Sequence, residues 1–144
     1  LPSSNMPQKV NCSCLCQRIR FSCDASKVAA FCHCSICQKS HGTPFAAQLS
    51  IKPQSLMIEY GEQYLKSYAS SHDLLRIFCS HCGSRLYNIS KDRQSYASVA
   101  LSAIDNNNAL FKIKAHVCTD TKAEYFQIND SIKQYPDFFG INRK

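Results

Sequence analysis

No stretch of this chain approaches the roughly 20 consecutive apolar residues that a membrane-crossing helix needs, so no helical span is expected. The first five residues, Leu1-Pro-Ser-Ser-Asn5, hold neither a basic region nor an apolar core, and no signal peptide is expected in them. Met6 is an alternative start, with Leu1 to Asn5 then an extension. Lysines and arginines are scattered rather than run together, and no basic face interleaved with aromatics stands out, which argues against nucleic acid as a partner. No internal repeat and no linker is visible. A soluble cytoplasmic protein is expected, with residues 1–11 as an N-terminal tail and 12–144 as a single domain. Its 144 residues, 44% hydrophobic, suffice to bury a core.

What the chain does have is cysteine: ten in all, seven of them in three tight clusters. These are Cys14-Leu-Cys16, Cys32-His-Cys34-Ser-Ile-Cys37 and Cys79-Ser-His-Cys82. Cys-x-Cys neighbours cannot bond to each other without strain, and Cys-x-x-Cys pairs in a reducing compartment read as metal or redox sites, so a disulfide framework is the weaker reading. A thiolate-preferring tetrahedral ion, zinc, suits the spacing. The two doublets, Cys14/Cys16 and Cys79/Cys82, together make one closed four-thiolate structural site. The triplet Cys32, Cys34 and Cys37 makes a second with three protein ligands and an open position, the catalytic pattern. Closing the long loop between the doublets costs roughly 4 kcal/mol of chain entropy, and zinc binding at roughly 10–16 kcal/mol offsets it. The formal charge of +7 assumes neutral thiols, and seven ligating thiolates against two Zn2+ bring it to about +4.

Between the clusters the chain reads as strands. Arg18 to Cys23 alternates polar and apolar, and Val28 to Cys32 and Phe45 to Ile51 are short apolar runs. Further strands are expected at Leu56 to Tyr60, Tyr64 to Tyr68, Leu74 to Phe78, Arg85 to Ile89, Tyr96 to Leu101 and Lys112 to Cys118. Turn formers such as Gly61 and the polar stretch Asp105 to Asn108 separate them, the pattern of an all-β domain. Helical turns are expected after Cys34 and around Lys52 to Leu56.

These motifs resemble the glutathione-dependent formaldehyde-activating enzyme (Gfa) family. The resemblance lies in Cys14-Leu-Cys16 followed by Ile19-Arg-Phe21, in the triplet followed by Gly42-Thr-Pro-Phe45, and in Phe78-Cys-Ser-His-Cys82-Gly83-Ser84. Ala115-His116-Val117, Thr121-Lys-Ala123 and Tyr135-Pro-Asp-Phe138 extend it to roughly residues 12–139. It implies a tent-like all-β fold of several coiled antiparallel sheets around two zinc sites: structural on Cys14, Cys16, Cys79 and Cys82, catalytic on Cys32, Cys34 and Cys37. It also implies a carbon-sulfur lyase or synthase acting on glutathione, or a similar thiol, and formaldehyde or another small aldehyde. Physically, a free thiol has a pKa of about 8.5 and is a weak nucleophile at neutral pH, whereas a zinc-bound one is deprotonated. The chain departs from the family pattern at Gln17, where Gly is usual, at Gln48, where Trp is common, at Cys118, in place of an aromatic, and at Glu124-Tyr125, in place of Pro-Trp.

Other residues carry plainer readings. His33 and His81 are expected to point away from the ions, His116 to be a hydrogen-bonded structural residue, and His41 and His72 to lie at the surface. Cys12, Cys23 and Cys118 read as buried small hydrophobes, with Cys12 the spare ligand to watch. Lys39, Arg76 and Arg85 are candidates for binding the carboxylates of a glutathione-like anion or, more simply, solvated charges. Phe45, Tyr87 and Tyr96 are core aromatics. Two rival functions remain. One is a zinc-binding interaction module without catalysis, since a domain of this kind also occurs in a centromere-associated protein. The other is a methionine-sulfoxide reductase with Cys118 as nucleophile, which the Cys-x-Cys start and the triplet fit poorly.

Overall fold

The computed structural model describes residues 7–106 and 110–138. Ten strands occur among them: β1 (Gln8–Ser13), β2 (Arg20–Cys32), β3 (Ala46–Ile51), β4 (Met57–Tyr60), β5 (Leu65–Ala69), β6 (Leu74–Cys79), β7 (Arg85–Ser90), β8 (Ala97–Ala100), β9 (Lys112–Val117) and β10 (Lys133–Gln134). One α-helix, α1 (Ser35–His41), follows β2 and stops at Gly42, whose left-handed φ of 67° closes the helix. The molecule is all-β, as the spacing of short apolar runs requires.

The sheet is built on β2. Its first half lies between β1, in register from Gln8↔Ala25 to Ser13↔Arg20, and β4, which meets it at Arg20 to Ser22. Its second half lies between β3 and β9. From there the order runs β10-β9-β2-β3-β8-β7-β6-β5. Where several antiparallel sheets were expected, the strands form one hydrogen-bonded sheet, and two of its pairings, β2 with β9 and β9 with β10, are parallel. Alternation patterns report which face a residue occupies, not strand direction, so this was not readable beforehand.

Three boundaries differ from the sequence reading. Arg18 to Cys23 and Val28 to Cys32 are parts of a single 13-residue strand, because Asp24 to Lys27 stay extended and the register shift between Ala25 and Ala29 absorbs them. The sheet begins at Gln8, so residues 8–11 pair with β2 instead of forming a tail. Around Lys52 to Leu56 the helical turn is a single 3-10 turn, Pro53–Ser55. Of the stretch Asp105 to Asn108, the last two residues lie outside the described ones. Asp105 and Asn106 bind back to β1, the Asp105 amide donating to Asn11 O and the Asn11 amide to Asn106 Oδ1, both at 2.8 Å.

The main core packs Val10, Ile19, Phe21, Leu49, Leu86 and Val99, all essentially inaccessible to water. Burial of each such side chain contributes roughly 1.5–3 kcal/mol. Cys12 and Cys23 lie inside the same cluster as small apolar fillers. A second, smaller cluster gathers Cys32, Cys37, Ala46, Ala115 and Val117 where β2, β9 and α1 meet.

Candidate metal centres

Each cysteine doublet belongs to a hairpin connection. Cys14 and Cys16 lie between β1 and β2, Cys79 ends β6, and Cys82 lies between β6 and β7. The first turn is closed by the Gln17 amide on Cys14 O (3.1 Å), with Gln17 in the left-handed region at φ 66°. The second is closed by the Gly83 amide on Cys79 O (2.8 Å). Both turns aim backbone donors at sulfur, Ile19 N to Cys14 Sγ (3.3 Å) and Cys82 N to Cys79 Sγ (3.4 Å). Ser84 joins the two, accepting from Leu15 N at 2.9 Å and lying 3.2 Å from Cys82 Sγ.

The four sulfurs fall within 4.8 Å of one another, with Cys14 and Cys16 3.6 Å apart and Cys16 and Cys79 3.9 Å apart. Burial drives the Cys79 thiol up to about 11. Burial also opposes ionisation of Cys82, but Ser84 outweighs it and brings that thiol down to about 5. Four neighbouring sulfurs cannot all ionise without a cation among them, and these four could hold one.

The triplet is local. Cys32 ends β2, Cys34 caps α1 by accepting from Cys37 N at 3.2 Å, and Cys37 lies in the first turn of the helix. Their sulfurs also fall within 4.8 Å of one another. Hydrogen bonds from the Cys32 and Cys37 side chains pull the Cys34 thiol down to about 2. Cys32 is pushed up by its contacts with Cys118 and Cys34, and Cys37 by those with Cys32 and Cys34. A cation would remove this competition for a single negative charge, and the donor set fits zinc.

All three cysteines of the triplet line one cavity of about 420 Å³, to which Gln48, Arg76, Asn88, Tyr96 and Cys118 also contribute, whereas of the four-sulfur cluster Cys14 alone borders a cavity. Arg76, only 6% exposed, has Nη2 3.6 Å from Cys37 Sγ and donates from Nε to Ser70 Oγ at 2.9 Å, while Nη1 is buried without a hydrogen-bond partner. Asn88 and Gln48 are tied to Ser98, at 3.2 and 3.1 Å, so the polar wall is pre-set.

Behind the triplet, His33 Nε2 meets His116 Nδ1 at 2.8 Å, and His116 Nε2 meets the Asp130 carboxylate at 3.0 Å. Both rings are buried, among Phe31, Phe45 and Phe126. Burial, then the neighbouring His116, lowers His33 to about 4. The chain anchors the backbone between the two ligand positions: His33 N donates to Val117 O (2.9 Å), and His33 O accepts from Gln38 Nε2 (2.7 Å).

The residues singled out in the sequence sort accordingly. His33 points away from the sulfurs and His116 is a buried, hydrogen-bonded side chain, both as expected. His81 is exposed, 6.4 Å from the Tyr64 ring, and His72 is exposed. His41 is half-buried and lowered to about 4 by burial, then by Arg76 and Arg85. Of the three basic candidates, Arg76 reaches the triplet. Lys39 and Arg85 line a separate cavity of about 620 Å³ beside Cys14, with the Arg85 guanidinium over the Phe78 ring. Tyr87 is buried, while Phe45 and Tyr96 are only partly so. Cys118 corrects its reading as a buried hydrophobe: it is half-exposed, lines the cavity and packs beside Cys32. Asp130 was missed, because an acidic residue in an irregular stretch carries no local sign of a buried histidine partner.

Comparison with known proteins agrees with this geometry. A protein of Halomonas elongata, provisionally named a glutathione-dependent formaldehyde-activating enzyme, is 28% identical over 138 residues, covering 87% of either chain. A crystal structure of a Rhodobacter sphaeroides protein shares the fold, with a TM-score of 0.57 at 18% identity over 74% of this chain and 97% of that one. The family pattern matches over residues 9–121, a span that includes all seven clustered cysteines, and the chain belongs to the glutathione-dependent formaldehyde-activating enzyme family.

Proposed function

We propose that the chain is a zinc-dependent carbon-sulfur lyase or synthase that joins a small thiol, glutathione foremost, to formaldehyde or a related small aldehyde and parts them again. Zinc would be held structurally by Cys14, Cys16, Cys79 and Cys82, and catalytically by Cys32, Cys34 and Cys37. The observation that carries this reading is the contrast between the clusters: four sulfurs gathered between two hairpin turns, of which only Cys14 borders a cavity, and three cysteines that all line one cavity of ligand size together with Arg76, Gln48 and Asn88. Zinc bound at the triplet supplies a thiol kept ionised, and so nucleophilic, at neutral pH.

The surrounding residues have roles that follow from their positions. As the sulfur-carbon bond forms, the carbonyl π pair moves onto oxygen, which becomes anionic and then takes from solvent a proton matching the one the thiol released on ionising, to give the hydroxymethyl adduct. The Arg76 guanidinium, beside Cys37, stabilises that charge. Gln48 and Asn88, restrained through Ser98, orient the carbonyl from the same wall. The His33-His116-Asp130 chain does not face the reacting atoms and acts by holding the strand end that carries Cys32 and Cys34. Reduced thiols in this number suit a reducing compartment, and we place the protein in the cytoplasm.

Calorimetry and isotope exchange test the reading together. Zinc-loaded protein should bind glutathione but not its S-methyl derivative, and should accelerate exchange between 13C-formaldehyde and its glutathione adduct. Cys34→Ala should lose both, and Arg76→Gln should bind thiol but exchange on the order of 10²-fold more slowly. Failure of the loaded protein to distinguish glutathione from S-methylglutathione would sink the proposal.

A further inference from the structure

Cys118 follows β9 and adopts a left-handed backbone, φ 57°, a region in which cysteine has no special stability. The conformation is held on both sides: Cys118 N donates to Asp137 O at 3.0 Å, and Cys118 O accepts from Thr121 N (3.3 Å) and Thr121 Oγ1 (3.1 Å). Thr121 is in turn tied to α1, because Gln38 Nε2 donates to its carbonyl at 2.9 Å. An uncommon backbone conformation fixed from several directions at the rim of a site points to a use for the side chain it presents.

That side chain packs on the cluster containing Cys32 and Cys37 and lines the same cavity. Its sulfur stands outside the set of three that fall within 4.8 Å of one another. Neither of the other two candidates for a fourth ligand, Cys12 and His33, lines the cavity of the triplet. Cys12 is fully buried in the main core with Cys23, and His33 Nε2 is engaged by His116, with Nδ1 buried and unpartnered.

We propose that Cys118 is a fourth protein sulfur for the ion held by Cys32, Cys34 and Cys37, closing the site at rest and yielding its place to the substrate thiol. The inference rests on the triplet being the thiol-binding metal site. The exchange balances as one sulfur for another: the incoming thiol gives up its proton as it becomes a ligand, and the displaced Cys118 thiolate takes one up, so the charge of the buried site is unchanged. The arrangement shields a reactive metal position from other ligands until a thiol arrives, and gives that thiol's proton a nearby acceptor.

Cobalt(II) loaded in place of the native ion reports the number of bound sulfurs through its sulfur-to-metal charge-transfer absorption. Cys118→Ser and Cys118→Ala, both checked for native circular dichroism, should lose one sulfur's share of that absorption and bind the second ion at least about tenfold more weakly. Glutathione should leave the wild-type intensity nearly unchanged, since sulfur replaces sulfur, and should raise that of both variants. Iodoacetamide should label Cys118 in the loaded wild type only after glutathione is added. Equal absorption in all three proteins before glutathione, or an equal rise in all three after it, would overturn the proposal. If glutathione binds none of them, the thiol-binding reading of the site falls, while the absorption difference without glutathione still decides the role of Cys118.

Discussion

Gly61 shows how much one backbone position can demand. It begins the return from β4 at φ 88°, and a Cβ there would lie 1.9 Å from Arg18 O and 2.8 Å from Ile19 Cα. Gly83, at φ 80°, has nothing within 4 Å of the same point. The left-handed conformation alone costs a residue with a side chain about 1–2 kcal/mol, and overpacking against fixed backbone adds about 1–3 kcal/mol. Gly61→Ala should therefore destabilise by about 2–5 kcal/mol in urea denaturation, and Gly83→Ala by the conformational part alone. Equal losses at the two sites would show that the chain around Arg18 simply yields. Gln17 meets the same backbone demand with a side chain present: it stands at φ 66°, its Nε2 donating to Cys14 O at 3.0 Å and to Ser13 Oγ at 3.2 Å.

At the scale of elements, one carboxylate gathers several donors of the connection between β7 and β8, beside the backbone bonds Ser90 N to Tyr96 O (2.9 Å) and Arg93 N to Ser90 O (2.8 Å). Asp92 Oδ1 accepts from Ser90 Oγ at 2.6 Å and from the amides of Gln94 and Ser95 at 2.9 Å, and Oδ2 accepts from Ser95 Oγ. Ser90 leads these donors in holding the Asp92 carboxyl well below its usual range. A depressed carboxyl stabilises fully above its unfolded pKa of about 3.9 and loses that contribution as pH falls through its lower folded value. In NMR titration the Gln94 and Ser95 amides should show no inflection near pH 4, and Asp92→Asn should weaken the turn at neutral pH. An inflection at the ordinary carboxylate value would mean that the turn does not hold the charge. Legibility also varied by element. Apolar runs marked β3 to β9, since each buries at least part of one face. β10 has two exposed residues and depends on its pairing with Ala115 and His116, so no pattern could reveal it. In β1 the alternation is interrupted by Cys12 and Ser13, both buried.

Over the whole molecule, the sheet must curl. In strand order β2 and β6 are separated by β3, β8 and β7, which at about 4.8 Å per step is roughly 19 Å across a flat sheet. Yet the sulfurs carried by their hairpins lie within 4.8 Å. An ion at that point would bind together two hairpins that do not pair with each other, and its binding energy of roughly 10–16 kcal/mol rivals the whole stability of a domain, about 5–15 kcal/mol. Cys79→Ser should accordingly lose cooperative thermal unfolding and bind little metal. Cys34→Ala should lose one ion per chain and keep a melting curve close to that of the wild type, because the triplet lies within six residues and closes no long loop. Comparable unfolding in both variants, read by circular dichroism beside metal analysis, would make the triplet structural.

The sequence by itself determined the cysteine clusters, their division into four and three, and the all-β class, because ligand spacing and the period of two in half-buried strands are local properties. It also marked Arg76 as a candidate without separating it from Lys39 and Arg85, since proximity along the chain says nothing of which strand face a side chain takes. Only the tertiary structure decided that Arg76 lies against Cys37, that Asp130 completes a buried chain through His116 to His33, and that Cys118 shares the cavity of the triplet. Each of these contacts joins residues 14 or more positions apart, across a parallel pairing or a curled sheet, and such neighbours are set by the packing of strands that no local pattern encodes.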